Sequence, residues 1–445
     1  MIKTIINNLR FYLSLITARL AYTAIKILGK SSGTSFVGML VLKMYPDFLK
    51  QCPRYIKNKI VTVTGTNGKS TTSGLIAHML ETANQKVIHN VQGANMLTGI
   101  ANVFALKLFP FKRFDFAVLE SDEAYLTKLY DCIQADFLVV TNLFRDQLDR
   151  YGELNTTASF IQNAIDKNEN LKLILNADDP LVANFGHNRA AVYYGFENVT
   201  FSEEQKNSNA PQEAFNCICG QPLHYVKQFF AQQGHYYCTC GFKRPDCSYK
   251  ADAEIHKDFS IITVEHNGIK SEFKVKLLGL YNAYNALAAI ALGFENGLNQ
   301  SEIQKSLDTY KSIFGRTERR TINGCQALIQ LIKNPTGASE VLKTVDLKSN
   351  IVIAINDNYA DGRDISWLWD SDFEQLKNAE KLVITSGTRA NDMATRLKYA
   401  GIPQKNILVV PDIKQAIEKA CVKDETITIL PSYTALLKIN KMNLK

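Results

Sequence analysis

The 445-residue chain is predicted to be an α/β protein with two successive sheets of mainly parallel strands. Apolar, β-branched runs alternate with helical patterns from residue 56 to 200, and a second alternation of the same kind begins after residue 315. Such alternation is typical of parallel strands that are connected by helices covering the sheet. The predicted strands are Ile60–Val63, Phe116–Leu119, Phe137–Val140 and Leu171–Leu175 in the first half, and Ile351–Ile355, Lys381–Thr385, Ile407–Val410 and Thr426–Leu430 in the second.

The composition is that of a globular protein, with 46% hydrophobic and 21% charged residues and a formal net charge of +8. This basic balance is modest for the length, but it favours anionic partners such as phosphates, nucleic acids or anionic membranes. No segment resembles a cleavable signal peptide, and four of the nine cysteines are clustered. We therefore expect a reducing compartment, in which the clustered cysteines bind a metal instead of forming disulfides.

Residues 1–50 combine apolar positions with spaced basic residues. No uninterrupted apolar run approaches the roughly 18 residues that a membrane-spanning helix needs. Two interpretations stay open: a basic amphipathic helix that rests on a membrane surface, or a helix that packs on the rest of the protein. The basic residues within the first helical pattern are Lys3, Arg10, Arg19 and Lys26, and the predicted loop after it is Gly29–Gly33.

Residues 65–72, Gly-Thr-Asn-Gly-Lys-Ser-Thr-Thr, follow an apolar run and precede a helical pattern. A strand, a glycine turn and a helix N-terminus form a cradle of backbone N–H groups for an anion. Lys69 is predicted to contact the outer phosphates of a nucleoside triphosphate, and the Ser70 hydroxyl a bound Mg²⁺. Val63 stands where the common pattern has a glycine, and a turn that serves packing alone is the alternative. The candidate nucleotide-binding residues here are Gly65, Thr66, Asn67, Gly68, Lys69, Ser70 and Thr71.

Polar residues follow the neighbouring predicted strands at their carboxyl ends. Glu120 ends one such strand, with Asp122 and Glu123 behind it. A phosphate-bound Mg²⁺ takes oxygen ligands at a strand end of this kind, so Glu120 is the predicted second ligand, and a solvated acidic loop is the alternative. Similar clusters at Thr141–Asp149 and Asn176–Asp179 fit the same crevice, or act individually as helix N-caps.

Two asparagines and an arginine extend the candidate nucleotide site. Asn282 and Asn285 lie three residues apart at the start of a helix predicted over residues 281–296, so they share one face of it. They could hold a nucleotide base or simply cap the helix. Arg316 follows at a predicted domain junction, where an arginine can stabilise the charge of a phosphoryl group in transfer.

Two cysteine pairs are separated by 18 residues. Four thiolates suit a structural zinc ion in a closed tetrahedral site, and four unligated cysteines are the alternative. Each pair contains one intervening residue instead of the usual two, which leaves room for substitute ligands. The candidate zinc ligands are Cys217, Cys219, Cys238 and Cys240, with Cys247, His224 and His235 as possible substitutes.

The order of these motifs resembles that of the Mur ligase superfamily, whose members phosphorylate a carboxylate with ATP and let an amine attack the acyl phosphate. This chain has Gln147 where the family usually has a histidine, so the metal ligand expected there is unassigned. The motifs that carry the resemblance are Gly65–Thr72, Thr141–Asp149, Asn176–Asp179, Asn282 with Asn285, and Gly315–Glu318.

The cysteine pairs, together with Lys333–Gly337 and Asn356–Asp370, narrow the resemblance to the synthetase subunits of lipid II isoglutaminyl synthase. The resemblance implies a Mur-ligase-like central P-loop ATPase domain with a parallel sheet and a C-terminal Rossmann-like α/β domain. The implied bounds are 1–55 for an N-terminal helical segment, 56–314 for the central domain, 205–250 for a zinc-ribbon insertion within it, and 315–445 for the C-terminal domain. The implied cofactors are ATP, Mg²⁺ and Zn²⁺.

The implied reaction is the amidation of the α-carboxyl of D-glutamate in the lipid II stem peptide, through an acyl phosphate. The implied partner is a GatD-type glutaminase subunit that supplies ammonia, in a cytoplasmic heterodimer whose contact with the inner face of the membrane stays open. Asp357 is expected to complete the partner's Cys–His pair as a triad, with Asp361 and Asp364 as alternates.

Two other functions remain open at this point. A conventional Mur-type ligase would add an amino acid instead of ammonia. A zinc-ribbon NTPase that binds nucleic acid would need a strong basic groove. The cysteine region offers only Lys243 and Arg244 for such a groove, so we expect no nucleic-acid partner.

Overall fold

The computed structural model of the chain describes residues 2–28, 34–91, 94–146, 154–202, 216–312 and 316–442. The predicted loop Gly29–Gly33, the residue Gln147 and residues 203–215, which precede the first cysteine pair, lie outside these ranges. The strands are β1 (Ile56–Thr64), β2 (Val87–His89), β3 (Phe114–Glu120), β4 (Phe137–Val140), β5 (Lys172–Asn176), β6 (Ala191–Phe201), β7 (His224–Phe230), β8 (Gln233–Tyr237), β9 (Tyr249–Ile255), β10 (Ser260–His266), β11 (Ile269–Val275), β12 (Arg316–Ile322), β13 (Cys325–Gln330), β14 (Asn350–Ala354), β15 (Val383–Ser386), β16 (Ile407–Val409) and β17 (Thr426–Pro431).

Helices connect most of these strands. They are α1 (Ile2–Leu28), α2 (Thr34–Met44), α3 (Phe48–Gln51), α4 (Lys69–Thr82), α5 (Leu97–Leu108), α6 (Glu123–Tyr130), α7 (Leu154–Asp166), α8 (Pro180–Asn184), α9 (Leu280–Glu295), α10 (Gln300–Thr309), α11 (Pro335–Lys343), α12 (Trp367–Asp370), α13 (Ala390–Tyr399), α14 (Ile413–Ala420) and α15 (Tyr433–Lys441).

The first sheet has nine strands in the order β11-β10-β9-β6-β5-β4-β1-β3-β2. Strands β2, β3, β1, β4, β5, β6 and β9 pair with one another in parallel, in that order, and β9 then forms an antiparallel meander with β10 and β11. The parallel α/β arrangement confirms the predicted fold class. The meander continues the same sheet because β9 pairs with β6, a long-range pairing that the local pattern does not reveal.

Helix α9 lies against the first sheet and is buried along most of its length. Its run of alanines and Gly293 let it pack closely on α4, where a Cβ atom on Gly293 would lie 2.7 Å from Met79 Sδ. This packing brings Asn282 and Asn285, at the start of α9, to the start of α4.

The second sheet has six strands in the order β12-β13-β17-β14-β15-β16, parallel except for the β12–β13 hairpin. Cys325, at the start of β13, is disulfide-bonded to Cys421, which directly follows α14. The disulfide joins residues 96 positions apart in the sequence. It was not predicted, because the sequence led us to expect reduced cysteines.

Helix α1 packs one face on the body of the protein, through Phe11, Leu15 and Ala18. The packed-helix interpretation therefore holds for this inner face. Within the described ranges, we find no helix with the length and apolar character that crossing a bilayer requires.

Candidate active site

The loop between β1 and α4 occupies a space that only glycine can fill at two positions. Gly65 and Gly68 have φ angles of 120° and 85°, in the left-handed region that side chains disfavour. A Cβ atom on Gly68 would lie 2.0 Å from Asn285 Oδ1, and one on Gly65 would lie 2.3 Å from Thr141 Oγ1. The loop therefore fits tightly between the end of β4 and the start of α9.

The residues after β4 hold this loop by hydrogen bonds. The backbone N–H of Thr66 donates to the Asn142 carbonyl at 2.9 Å, and that of Asn67 donates to Asn142 Oδ1 at 2.9 Å. The Thr141 hydroxyl donates to the Asn67 carbonyl at 2.7 Å. The Thr141-Asn142 motif thus fixes the shape of the anion cradle.

Lys69 begins α4 and is buried inside a group of carboxylates. Its Nζ donates to the Gly65 carbonyl at 2.6 Å and to Glu123 Oε1 at 2.9 Å. Burial lowers the pKa of Lys69, but the carboxylates of Glu123, Asp122 and Glu120 outweigh it and raise that pKa above its ordinary value. Lys69 is therefore a cation at neutral pH, ready to pair with phosphate oxygens.

The pairing of Lys69 with Glu123 was not predicted. The sequence signal for it is that Glu123 opens α6 three residues after a strand end, where its carboxylate can turn back towards the loop.

The two predicted Mg²⁺ ligands differ in their environment. The hydroxyl of Ser70 is buried and has no hydrogen-bond partner among the described residues. Buried polar atoms are nearly always partnered, so an orphaned hydroxyl in the first turn of this helix fits a metal ligand. Glu120 is buried at the end of β3, where it pairs in register with Val63 of β1. Asn90 Nδ2 donates to the Glu120 carbonyl, and the Glu120 N–H donates to Asn90 Oδ1, both at 2.8 Å.

A cleft of about 380 Å³ separates the first sheet from the C-terminal part of the chain. Its walls carry Lys69, Glu120 and Glu123 on one side and Lys333, Asn356 and Asp361 on the other. A cleft with converging charged groups at the carboxyl ends of parallel strands is the usual place for a ligand in such folds.

The C-terminal part contacts the anion cradle directly. Asn334 Nδ2 donates to Asn67 Oδ1 at 2.9 Å, and Lys333 Nζ contacts both Asp146 and the Thr66 carbonyl. Lys333 and Asn334 had no individually predicted role. Their signal was the Lys-Asn-Pro-Thr-Gly stretch that directly precedes and opens α11.

Asn282 and Asn285 line a second cavity of about 90 Å³ on the other side of the loop, with Asn67 and Gly68. Asn285 Nδ2 donates to Asn282 Oδ1 at 3.2 Å, while Asn282 Nδ2 donates to the Leu278 carbonyl at 2.8 Å. The two asparagines thus stabilise the start of α9 and also line a cavity beside the anion cradle. Arg316 opens β12, but its side chain lies outside the described part.

The Asn176–Asp179 motif serves the fold. Asp179 caps α8, accepting N–H groups of Leu181 and Val182, and burial raises its pKa to about 7. Asp178 accepts hydrogen bonds from Arg244 at 2.6 Å and from the Tyr284 hydroxyl at 2.7 Å. The N-cap alternative is therefore the correct one for Asp179, and Asp178 joins the cysteine region to α9.

The four clustered cysteines converge on one point. Their sulfur atoms all lie within 4.8 Å of one another, with 3.7 Å from Cys217 to Cys240 and 3.6 Å from Cys219 to Cys238. Zinc–sulfur bonds of about 2.3 Å in a tetrahedron need sulfur atoms about 3.8 Å apart. The donor set and its spacing therefore fit a structural zinc ion.

The substitute ligands lie elsewhere. Cys247 Sγ contacts the Pro245 carbonyl, His224 stacks on Tyr237, and His235 Nε2 bonds the Phe196 carbonyl at 2.8 Å. A glycine in the left-handed region follows each pair, Gly220 with φ 84° and Gly241 with φ 96°, and its N–H donates to the carbonyl of the first cysteine of that pair.

Three aspartates follow β14, and they differ in their partners. Asp361 is buried and accepts the N–H and hydroxyl of Thr434 at 2.7 and 2.5 Å, and Asp364 accepts the N–H of Ser366 in a local turn. Asp357 is partly exposed and accepts the Thr388 hydroxyl at 2.8 Å, with Arg389 at 3.7 Å. Of the three, Asp357 best combines an ordered position with an accessible carboxylate.

Comparisons with known proteins agree with this architecture. A family model described as the Mur ligase middle domain matches residues 63–220, and one described as MurT ligase C-terminal matches residues 331–436. The solved structure of a pseudomurein peptide ligase type C from Methanothermus fervidus has a TM-score of 0.66 at 24% identity, over 88% of this chain and 80% of that one. MurF ligase from Thermotoga maritima, in complex with ADP, has a TM-score of 0.61 at 14% identity, over 90% and 83%.

Curated relatives are similar over nearly the whole chain. The lipid II isoglutaminyl synthase (glutamine-hydrolyzing) subunit MurT of Staphylococcus aureus (strain COL) is 37% identical over 94% of each chain. The protein of the same name from Streptococcus pneumoniae (strain ATCC BAA-255 / R6) is 34% identical over 98% of this chain and 97% of its own. The chain described here therefore belongs to the MurT family of the Mur ligase superfamily.

Proposed function

We propose that this protein is the synthetase subunit of a lipid II isoglutaminyl synthase. It uses ATP to convert the α-carboxyl of D-glutamate in the lipid II stem peptide to the amide of D-isoglutamine. A GatD-type glutaminase subunit releases the ammonia from glutamine. The observation that carries the proposal is the anion cradle with its buried Lys69, set in the cleft that the MurT-type C-terminal part closes.

The first step is phosphoryl transfer. A carboxylate oxygen of the substrate attacks the γ-phosphorus, the bond from that phosphorus to the ADP oxygen breaks, and an acyl phosphate forms. Lys69 and the backbone N–H groups at the start of α4 hold the phosphate oxygens and offset their charge. Ser70 and Glu120 would hold Mg²⁺, which supplies further charge neutralisation at the phosphates. Arg316 is the proposed further cation of this step.

The second step is aminolysis. Ammonia attacks the acyl carbon, the bond from that carbon to the phosphate oxygen breaks, and a proton leaves the nitrogen as inorganic phosphate departs. The cleft contributes by placing the two reactants together and limiting access of water, which would return the carboxylate. Asn282 and Asn285 are the proposed neighbours of the nucleotide, beside the cradle.

The C-terminal part has a second proposed role at its exposed edge. Asp357 would orient and stabilise the imidazolium of the glutaminase histidine across the interface. Its neighbour Asn356 lines the cleft. The proposed ammonia source and the acyl phosphate would therefore lie on either side of one strand end.

The proposed zinc ion has a structural role. Cys217, Cys219, Cys238 and Cys240 would hold it, and Arg244 joins the insertion to Asp178 in the core. All four coordination positions are then filled by protein, which suits a structural site and leaves none open for a substrate.

The experiment is co-expression with a GatD-type glutaminase, co-purification, and an amidation assay on lipid II with glutamine or with ammonium. We expect the complex to use both donors and the purified chain alone to use only ammonium. An absence of amidation with either donor would refute the proposal. ATP consumption that depends on an added amino acid would favour the conventional ligase instead.

A further inference from the structure

Helix α1 carries two apolar faces instead of one. The inner face, with Phe11, Leu15 and Ala18, is at most 2% exposed. An ordinary surface helix presents polar residues on its other side. Here the outer side is an apolar stripe with spacings of three, four and seven residues. Its members are Ile6, Leu9, Leu13, Ile16, Leu20 and Ile27, with exposed fractions of 45, 58, 48, 44, 68 and 80%.

Neighbouring elements enlarge this outer stripe. The loop after α5 exposes Phe111 to 55%, and its ring meets Tyr12 of α1 edge-to-face at 4.8 Å. Helix α2, which packs against α1, exposes Phe36 and Met39 to 53 and 52%. An apolar surface of this extent on a soluble domain usually marks a surface that contacts another body.

The charges around the stripe indicate which body that is. Residues 1–46 contain six lysines and arginines and no acidic residue. Arg10 and Arg19 flank the stripe on opposite sides of the helix, and both are exposed. Lys112 and Arg113 directly follow Phe111 and are exposed as well. A second copy of the same surface would bring cations against cations, whereas anionic lipid headgroups complement them.

This surface is also connected to the cleft through the packing of α2 on α5. Ser35, in the first turn of α2, lines the cleft, as do Thr98 and Gly99 of α5. The backbones of α2 and α5 are in contact, since a Cβ atom on Gly38 would lie 1.7 Å from the Thr98 carbonyl oxygen. A body that holds α1 and α2 therefore also fixes the position of the cleft entrance.

We propose that the outer stripe of α1, with Phe36, Met39 and the Phe111–Arg113 loop, is a docking surface for an anionic phospholipid bilayer. The apolar side chains enter the interfacial layer and the flanking basic residues pair with headgroup phosphates. This inference rests on the proposed function, because it explains how the cleft reaches a substrate that is anchored in the membrane.

The test is flotation of the full chain with vesicles of phosphatidylglycerol and phosphatidylcholine, against vesicles of phosphatidylcholine alone. We expect binding to the anionic vesicles that weakens as salt is added. The double variants Leu9→Gln/Leu20→Gln and Arg10→Glu/Arg19→Glu should each bind at least about tenfold more weakly. The matched control Val226→Gln/Ile269→Gln should bind as the parent does. Its residues lie on β7 and β11, away from α1, and are 72 and 69% exposed.

Melting curves of all variants should match the parent's, since each changed side chain is exposed. Equal binding of the stripe variants and the parent would overturn the proposal, and so would equal binding to both vesicle types. A parent that is dimeric and stripe variants that are monomeric, without vesicle binding, would assign the surface to a second copy instead.

Amidation of a water-soluble muramyl peptide separates this inference from the proposed function. The stripe variants should amidate the soluble peptide with ammonium as fast as the parent and lose rate only on lipid II in vesicles. Vesicle binding without any amidation by the parent would refute the proposed function and leave the docking surface standing.

Discussion

Lys69 Nζ lies 2.9 Å from Glu123 Oε1, at the point where the β1–α4 loop would present a cation to a triphosphate. Both side chains are largely buried, with exposed fractions of 10 and 6%. The carboxylate gives the buried lysine a counter-charge, and a phosphate that binds Lys69 would compete with it for the same ammonium group. We therefore expect nucleotide binding and protein stability to be coupled through this pair.

Glu123→Gln should expose that coupling. Removal of one partner from a buried ion pair leaves an uncompensated charge and typically costs about 3 kcal/mol or more. We expect a lower melting temperature for the nucleotide-free variant and a larger rise on addition of ATP with Mg²⁺ than in the parent. Differential scanning calorimetry measures both. Glu81→Gln, an exposed position on α4, is the control, and equal behaviour of the two variants would contradict the coupling.

Asn334 offers a pair of variants that separates two roles. Its Oδ1 caps α11 by accepting the Gly337 N–H at 2.8 Å, and its Nδ2 donates to Asn67 Oδ1 at 2.9 Å. Asn334→Asp keeps the cap but places a negative charge beside the anion cradle. We expect unchanged stability and about tenfold weaker ATP binding by titration calorimetry.

Asn334→Ala should instead lose about 1 kcal/mol of stability through the lost cap. Tight ATP binding by the aspartate variant would contradict the closeness of Asn334 to the phosphates.

The cysteine cluster predicts metal content. Purified protein should contain about one zinc ion per chain, and Cys219→Ser should remove most of it and lower the melting temperature. Metal analysis by atomic emission provides the measurement. Cys247→Ser is the matched control and should keep the metal, because its sulfur lies outside the group of four. Full zinc content in Cys219→Ser would contradict the four-cysteine site.

The three aspartates after β14 should behave differently in the complex with the glutaminase. Asp357→Asn should abolish glutamine-driven amidation and leave ammonium-driven amidation intact, because in the proposed triad it removes the charge that would stabilise the partner's imidazolium. Asp364→Asn should retain both activities. Asp361→Asn should chiefly lower stability, since Asp361 accepts three hydrogen bonds from Thr434 and Asn358. Unchanged use of glutamine by Asp357→Asn would refute the assignment.

The local sequence pattern predicts the regular elements well. The predicted strand Phe137–Val140 has the same bounds as β4, and the helix predicted over 281–296 is α9, displaced by one residue. These elements carry strong periodicity and clear boundaries, so local physics defines them. The pairing of β9 with β6 depends on contacts between distant segments, and no local pattern encodes it.

As with the fold, the local sequence indicated part of the candidate site and the contacts between distant segments did not appear in it. The glycine loop, Ser70 and Glu120 follow from the chemistry of strand ends. However, Asp179 and Glu120 look alike in the sequence, since each is an acid after a buried strand, and only the fold reveals that Asp179 caps a helix. The contacts of Asn334 with Asn67, and of Glu123 with Lys69, needed the packed structure because Asn334 and Glu123 lie on segments far from the glycine loop in the sequence.

In the proposed reaction, ATP converts a carboxylate of the substrate to an acyl phosphate. The decisive measurement uses lipid II, or its soluble muramyl peptide, labelled with a heavy oxygen isotope in the D-glutamate α-carboxyl. After ATP- and ammonium-dependent amidation, we expect one labelled oxygen in the inorganic phosphate and ADP as the nucleotide product, with neither formed by Lys69→Ala. Unlabelled phosphate, or AMP and pyrophosphate, would refute phosphoryl transfer from ATP to this carboxylate.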